Sequence, residues 1–260
     1  MRVTVCQWPD ARKAVERAWE DLAAHARAQH SELLVLPEMA FSPWLAASRD
    51  FNAARWDDAI GAHQRWEARM PEAGGAAVVG TRPYTFGNER LSAAFIWEAD
   101  TGSRAAHANS SVRNEEQDWE EIWYAAAPRD FTPAHVGVAE VGFLIGRELH
   151  DLTEATRYGE DGVHLLITPR ATTASTSAEW LRAGIEAARC ARAFGLSSNR
   201  FDAGGRFGGE GWIIDPQGRV LARTTPSEPF ITRDLDLSQA RHPRYHEPST
   251  MPVMSSTSAT

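Results

Sequence analysis

Two periods alternate along the chain. Short runs in which nearly every position is apolar give way to longer stretches in which apolar residues recur every three or four positions. Val3–Gln7 and Leu33–Leu36 read as strands, and between them Ala11–Gln29 reads as a helix gathering Ala, Leu and Trp on one face. Pro37, which has no backbone N–H to give a sheet, closes the second strand. A helix follows at about Asp57 to Met70, then strands at Ala76–Gly80 and Ala93–Trp97 and a turn at Asp100–Ser103. Two further strands are predicted at Val136–Glu140 and Gly142–Ile145, with Gly142 marking a kink between them. The second half continues with a helix at Leu149–Tyr158, a strand at His164–Thr168 and a helix at Ser177–Phe194. Strands at Leu196–Asn199, Gly211–Asp215 and Val220–Arg223 complete the pattern, the last two joined by the turn sequence Pro216-Gln217-Gly218.

This alternation is that of a layered α/β protein, and 260 residues suffice to bury a sizeable core. No composition break or internal repeat divides the chain, so residues 1–247 are expected to form one domain. The Ser/Thr-rich stretch 248–260 is expected to be a loose tail or an arm that orders against a partner chain. A net charge of −8 argues against nucleic acid or an anionic membrane as the main partner. Asp10, Glu16 and Glu20 interrupt any signal-peptide core, and no run approaches a membrane span, so the cytoplasm is the expected compartment.

Lys13 is the single lysine among 27 basic residues, so any mechanism that needs a lysine has one to draw on. Cys6 and Cys190 are too few and too far apart in sequence for a disulfide framework or a zinc site, and the nine histidines show no ligand spacing. No metal and no cofactor is expected.

At the end of the second strand stands LLVLPEMAFSPW, and here the chain resembles the carbon–nitrogen hydrolase (nitrilase/amidase) superfamily. The resemblance continues through GFLIGREL, similar to the family's nucleophile elbow, HLLITPRAT, similar to the strand after it, and FGGEGWIIDPQG, similar to the C-terminal hairpin. It implies a four-layer α-β-β-α sandwich, usually paired through a flank into a homodimer or higher homo-oligomer, acting on a small-molecule substrate through a Glu-Lys-Cys triad with a second glutamate nearby. By the same resemblance Glu38 is the catalytic base, Glu120 the second glutamate and Glu148 a structural acid beside the elbow.

The departures from the pattern carry as much information. In Ile145-Gly146-Arg147-Glu148-Leu149 a glycine holds the place of the nucleophilic cysteine, and in the ungapped run from Ala108 to Tyr124 Asn109 holds the place of the lysine. Lys13, in a polar stretch of the first helix, is read as solvent-facing, Cys6 as part of a core strand, and Cys190 as a small buried thiol among alanines. A thiolate mechanism is therefore not expected. Two carboxylates with no cation between them repel in a desolvated site, which favours one protonated and one ionised group, an acid/base pair.

The candidate site thus comprises Glu38, Glu120 and His150 as catalytic groups, with Asn109, Gly146 and Arg147 as substrate-binding groups. His150 follows the elbow, where an imidazole can titrate near neutrality, Arg147 can restore positive charge, and the backbone N–H groups exposed at Gly146 can receive an oxyanion. Each has a plainer alternative: Glu38 in an inherited hydrogen-bond network, Glu120 anchoring a loop between Trp119 and Trp123, Arg147 in a surface ion pair. Trp44, Trp119, Trp123, Trp180 and Trp212 lie in or near the motifs, as pocket wall or as core. Losing one oxyanion donor costs about 10²–10³ in rate, which turns the expectation towards elimination, dehydration, isomerisation or cyclisation, with thiol-free cleavage of a carbon–nitrogen bond by water that Glu38 activates as the remaining option. Against this cysteine-less enzyme stands a second reading, a catalytically inactive relative that binds a ligand or partners an active homologue.

Overall fold

The computed structural model describes residues 1–115 and 118–240. The expected domain end at 247 and the tail 248–260 lie outside the described residues. In chain order the elements are β1 (Arg2–Pro9), α1 (Arg12–Gln29), β2 (Leu33–Val35), α2 (Ala53–Glu67), β3 (Ala77–Phe86), β4 (Glu89–Glu98), β5 (Gly102–Ala108), β6 (Asn114–Glu115), β7 (Asp118–Trp119) and α3 (Glu120–Trp123). They continue with β8 (Ala134–Val136), β9 (Ala139–Phe143), α4 (Leu152–Glu160), β10 (Leu165–Arg170), α5 (Ser177–Ala191), β11 (Phe194–Phe201), β12 (Trp212–Ile214), β13 (Val220–Arg223) and β14 (Phe230–Asp234).

Twelve of the strands form one hydrogen-bonded sheet, with β5-β4-β3-β2-β1 in one half and β11-β10-β9-β8 in the other. Strand β1 joins the halves: its first part pairs with β2 and β14, and Gln7–Pro9 pair with Asn199–Phe201 of β11. The sheet folds over an apolar interior to which Val3, Val35 and Ile96 contribute from one half and Val141, Ile167 and Leu196 from the other. Helix α1 covers the outer face of the first half through Trp19 and Leu22, and α4 and α5 cover the second through Tyr158 and Ala187. The result is the four-layer α-β-β-α sandwich. Strand β2 and the first half of β10 are covered on both faces, which is why Leu33–Val35 and Leu165–Ile167 read as unbroken apolar runs.

Local chemistry moves several predicted boundaries. The break between β8 and β9 lies at Gly137, whose φ is +55°, and Gly142 is inside β9, where a Cβ would come within 2.8 Å of the Tyr158 ring. The helix expected from Leu149 begins at Leu152, because Asp151 accepts from the N–H groups of Thr153 and Glu154 and so caps it there. Helix α5 stops at Ala191 because Arg192 turns left-handed, and β11 starts two residues later. Lys13 is exposed and Cys6 buried, as expected, whereas Cys190, read as buried, is only half-buried on the flank of α5. Among the described residues no helix is long and apolar enough to cross a membrane, and no group of three or more His, Cys, Asp or Glu is placed to hold a metal ion.

Helix α2 carries one consequential group. His63 is fully buried; its Nδ1 donates to the Ala59 carbonyl at 2.8 Å and its Nε2 accepts from the Phe41 N–H at 3.5 Å. Desolvation pushes its pKa down to about 3, although the bond to Ala59 opposes the shift. A second ring proton would meet the Phe41 N–H, so folding requires the neutral imidazole. The unfolded chain takes up this proton below about pH 6.5 and the folded chain only near 3, so wild-type stability should fall as the pH drops through that window. Urea denaturation between pH 6.5 and 4 should show a slope for His63→Gln that is shallower by up to ~1.4 kcal/mol per pH unit. Equal slopes would show that His63 does not couple to folding.

Candidate active site

Glu38 stands just past β2, where the chain leaves the sheet. Its N–H donates to the Arg170 carbonyl at 3.3 Å, and its own carbonyl accepts from Arg200 Nη1 at 2.9 Å. The same guanidinium, completely buried on β11, reaches the carbonyl oxygens of Met39 and Ser42 at 2.8 Å each and pairs with Asp10, Nε to Oδ1 at 2.9 Å. Burial pulls the Arg200 pKa down, and the charges of Asp10 and Glu38 oppose that shift. The Glu38 carboxylate is buried, and Oε1 accepts from the Ser92 hydroxyl at 3.4 Å.

The elbow faces it. Gly146 opens a 3₁₀ turn, Gly146–His150, with φ +49°, a left-handed conformation that side-chain-bearing residues avoid. A Cβ at this position would lie 3.3 Å from Glu38 Oε2. Glu148 holds the turn from behind: its carboxylate accepts from the Ile145 N–H at 2.8 Å, from the Ser110 N–H and hydroxyl at 2.7 Å each, and contacts His107 Nε2 at 2.8 Å. It is the structural acid expected there.

A cavity of about 140 Å³ opens between these parts. Glu38, Glu120, Gly146, Arg147 and His150 all line it, so five of the six expected residues meet. Asn109 does not line it. Its N–H donates to the Ser92 carbonyl at 2.9 Å and its Oδ1 accepts from the Ser111 N–H at 2.9 Å, a local turn that keeps the side chain on its own backbone. His150 is exposed at the mouth of the cavity, its ring edge-on to Trp180 with ring centroids 4.7 Å apart. Burial lowers the His150 pKa, Glu179 opposes this, and Arg147 adds to it. Arg147 is itself lowered, by burial first and then by the charge of Arg113. Of the motif tryptophans, Trp180 lines the cavity, whereas Trp44, Trp123 and Trp212 are buried in the cores.

Sequence reasoning missed the far wall, formed by Thr172, Thr173, Thr176 and Glu179 together with Arg113. A signal was present. Strands β9, β10, β11, β1 and β2 run parallel, and Glu38, Gly146 and Thr172 each follow the carboxyl end of one of them, the place where open α/β sheets form their crevices. The polar run after β10 belongs to that crevice. Among the described residues that line the cavity there is no cysteine and no lysine.

The fold has solved counterparts. A carbon–nitrogen hydrolase from Helicobacter pylori superimposes with a TM-score of 0.81 at 16% identity, over 92% of this chain and 90% of that one. An amidase from Nesterenkonia sp., in an active-site variant complexed with butyramide, superimposes at 0.75 with 17% identity over 92% of each chain. Another variant of that amidase, with the acetamide moiety of fluoroacetamide added at its active-site cysteine, gives 0.75 and 17% over 92% of each chain. No curated protein matches the chain significantly. The carbon–nitrogen hydrolase family model matches residues 2–245, and the chain belongs to that family.

Proposed function

We propose that this cavity is an active site in which Glu38 moves protons on a small polar molecule, with no thiol nucleophile and no covalent intermediate on the protein. The meeting of Glu38 with Gly146 carries the reading. In the family's pattern a cysteine side chain would project from this turn; here the glycine leaves the space beside Glu38 Oε2 to the substrate itself. An atom standing there is close to the reach that proton transfer requires, about 2.6–3.2 Å. Glu120 and His150 share the cavity and supply the second acid/base group. Because burial lowers its pKa, His150 is neutral at pH 7 and serves as an acceptor of protons. Without a thiolate no acyl-enzyme can split hydrolysis into two easier steps, so elimination, dehydration, isomerisation or cyclisation fits the residues better than amide hydrolysis.

Glu38→Gln keeps the shape and the Ser92 contact but cannot take up a proton at neutral pH. Screened against amides, nitriles and carbonyl compounds with acidic C–H bonds, the wild type should convert at least one compound. Glu38→Gln should convert it about 10²–10⁴-fold more slowly with binding retained. Equal turnover would remove Glu38 from the chemistry, and a panel that is bound but never converted would favour a ligand-binding relative of the family's enzymes.

Iodoacetamide should leave that activity intact. Burial raises the Cys6 thiol to about 12, so it stays protonated and unreactive, while the half-buried Cys190 is the thiol open to labelling. Mass spectrometry should find carbamidomethyl groups on Cys190 without loss of rate. Inactivation in step with labelling of either cysteine would overturn the thiol-free mechanism.

A further inference from the structure

Arg170, the last residue of β10, is 1% exposed, and among the described residues no carboxylate pairs with it. Its guanidinium lies 3.7 Å from the centre of the Trp212 ring and donates only to neutral oxygens: Ser197 Oγ at 2.8 Å from Nε, the Glu210 carbonyl at 2.7 Å from Nη2, and Thr172 Oγ1 at 2.8 Å from Nη1. Burial alone pulls its pKa well below the usual arginine range. A desolvated cation without a counter-charge is costly, and the two hydroxyls it touches differ in what they do with their own protons. Ser197 passes its own proton to the Thr168 carbonyl. Thr172, in contrast, receives from Arg170 and has no acceptor for its hydroxyl proton among the described residues, and it forms part of the cavity wall that Glu38 also lines. Its backbone is pinned by Asn199, which accepts from the Thr172 N–H at 2.9 Å and donates to the Thr172 carbonyl at 3.2 Å.

We propose that Thr172, with Arg170 behind it, receives the carbonyl oxygen of the substrate and the negative charge that gathers on it when Glu38 removes a proton. The proposal rests on the proton-transfer reading of Glu38 and names its substrate class, carbonyl compounds with an acidic C–H next to the carbonyl. The Glu38 carboxylate takes the proton; the C–H bond breaks, its electron pair moves into the C–C–O unit, and the oxygen becomes an enolate oxygen. The reverse transfer from Glu38 returns the proton to carbon or to a neighbouring atom. A hydroxyl that accepts from a guanidinium is a polarised donor, and an oxygen bonded to it lies within about 6 Å of the cation, two hydrogen-bond lengths end to end. The negative charge lost from Glu38 is regained on the substrate beside a preorganised positive group, which is where such stabilisation is most effective.

Malonamide, a small dicarboxamide with an acidic methylene, is the probe. Its binding is measured by calorimetry and its methylene exchange in D₂O by proton NMR, for the wild type, Glu38→Gln, Thr172→Val and Thr172→Ser. Thr172→Val removes the donor with little change of shape and should weaken binding about tenfold and slow exchange about 10²–10³-fold; Thr172→Ser, which keeps the hydroxyl, should stay near the wild type in both. Circular dichroism melts verify that each variant is folded, and Thr172→Ala replaces Thr172→Val if the latter is not. Exchange that needs Glu38 but is equal in wild type and Thr172→Val would overturn the role of Thr172 while leaving Glu38 as the base. Binding that needs the Thr172 hydroxyl with no exchange in any protein would sink the proton-transfer reading and leave the hydroxyl as a carbonyl receptor. Absence of both binding and exchange in the wild type overturns the proposal outright.

Discussion

The site depends on one buried guanidinium. Once β2 ends, the chain must turn across the carboxyl ends of the neighbouring strands, and the carbonyl oxygens of Glu38, Met39 and Ser42 lose any sheet partner. Buried carbonyls left unpaired cost free energy. Arg200 reaches all three from β11 and takes its counter-charge from Asp10, just past β1. A planar group with five N–H donors can serve four acceptors at fixed angles; the ammonium of a lysine, with three, could not. The two strands at the junction of the sheet halves and the loop bearing Glu38 are thereby made one object, and the position of the carboxylate follows from the position of β11.

What the amino-acid order disclosed follows the same logic. The interior strands were legible because burial on both faces forces runs such as Leu33-Leu34-Val35 and Leu165-Leu166-Ile167, which leave no other reading. β5 and β14 were not: Arg104-Ala105-Ala106-His107-Ala108 has little strand propensity and Phe230–Asp234 is half polar, so they are held by pairing with β4 and β1. At the site, Glu38, Gly146, Glu120 and Arg147 were legible because they sit in ordered motifs, and His150 because it directly follows the elbow. Asn109 shares a motif too, yet its side chain is taken by the Ser111 N–H, a competition within three residues that no family pattern encodes. Thr172 and Arg170 end the run HLLITPRAT, which the resemblance marks only as the strand after the elbow. Their significance is a matter of what stands opposite: Ser197 and Asn199 on β11, Trp212 on β12 and the cavity beyond.

The two buried arginines divide the electrostatics. Arg200 is neutralised where it stands, by Asp10 and by the nearby charge of Glu38, and acts on backbone carbonyls. Arg170 faces a ring and three neutral oxygens, so its field is not quenched locally and extends through Thr172 towards the cavity. In a low-dielectric interior that distinction matters more than the number of charges. To Arg113 and Arg147, which line the candidate site, the chain thus adds a buried cation from the strand that follows the elbow.

The elbow itself separates the fold from the chemistry. A turn with φ +49° strains any residue that bears a side chain, and such strain persists only where the surroundings impose it. Here the imposition comes from Glu148, whose carboxylate joins Ile145 in the turn to Ser110 and His107 on the neighbouring segment. None of these bonds involves a side chain at position 146. The apex residue is therefore free of structural duty: glycine there relieves the strain, leaves the turn where Glu148 holds it, and changes only what meets Glu38 across the cavity.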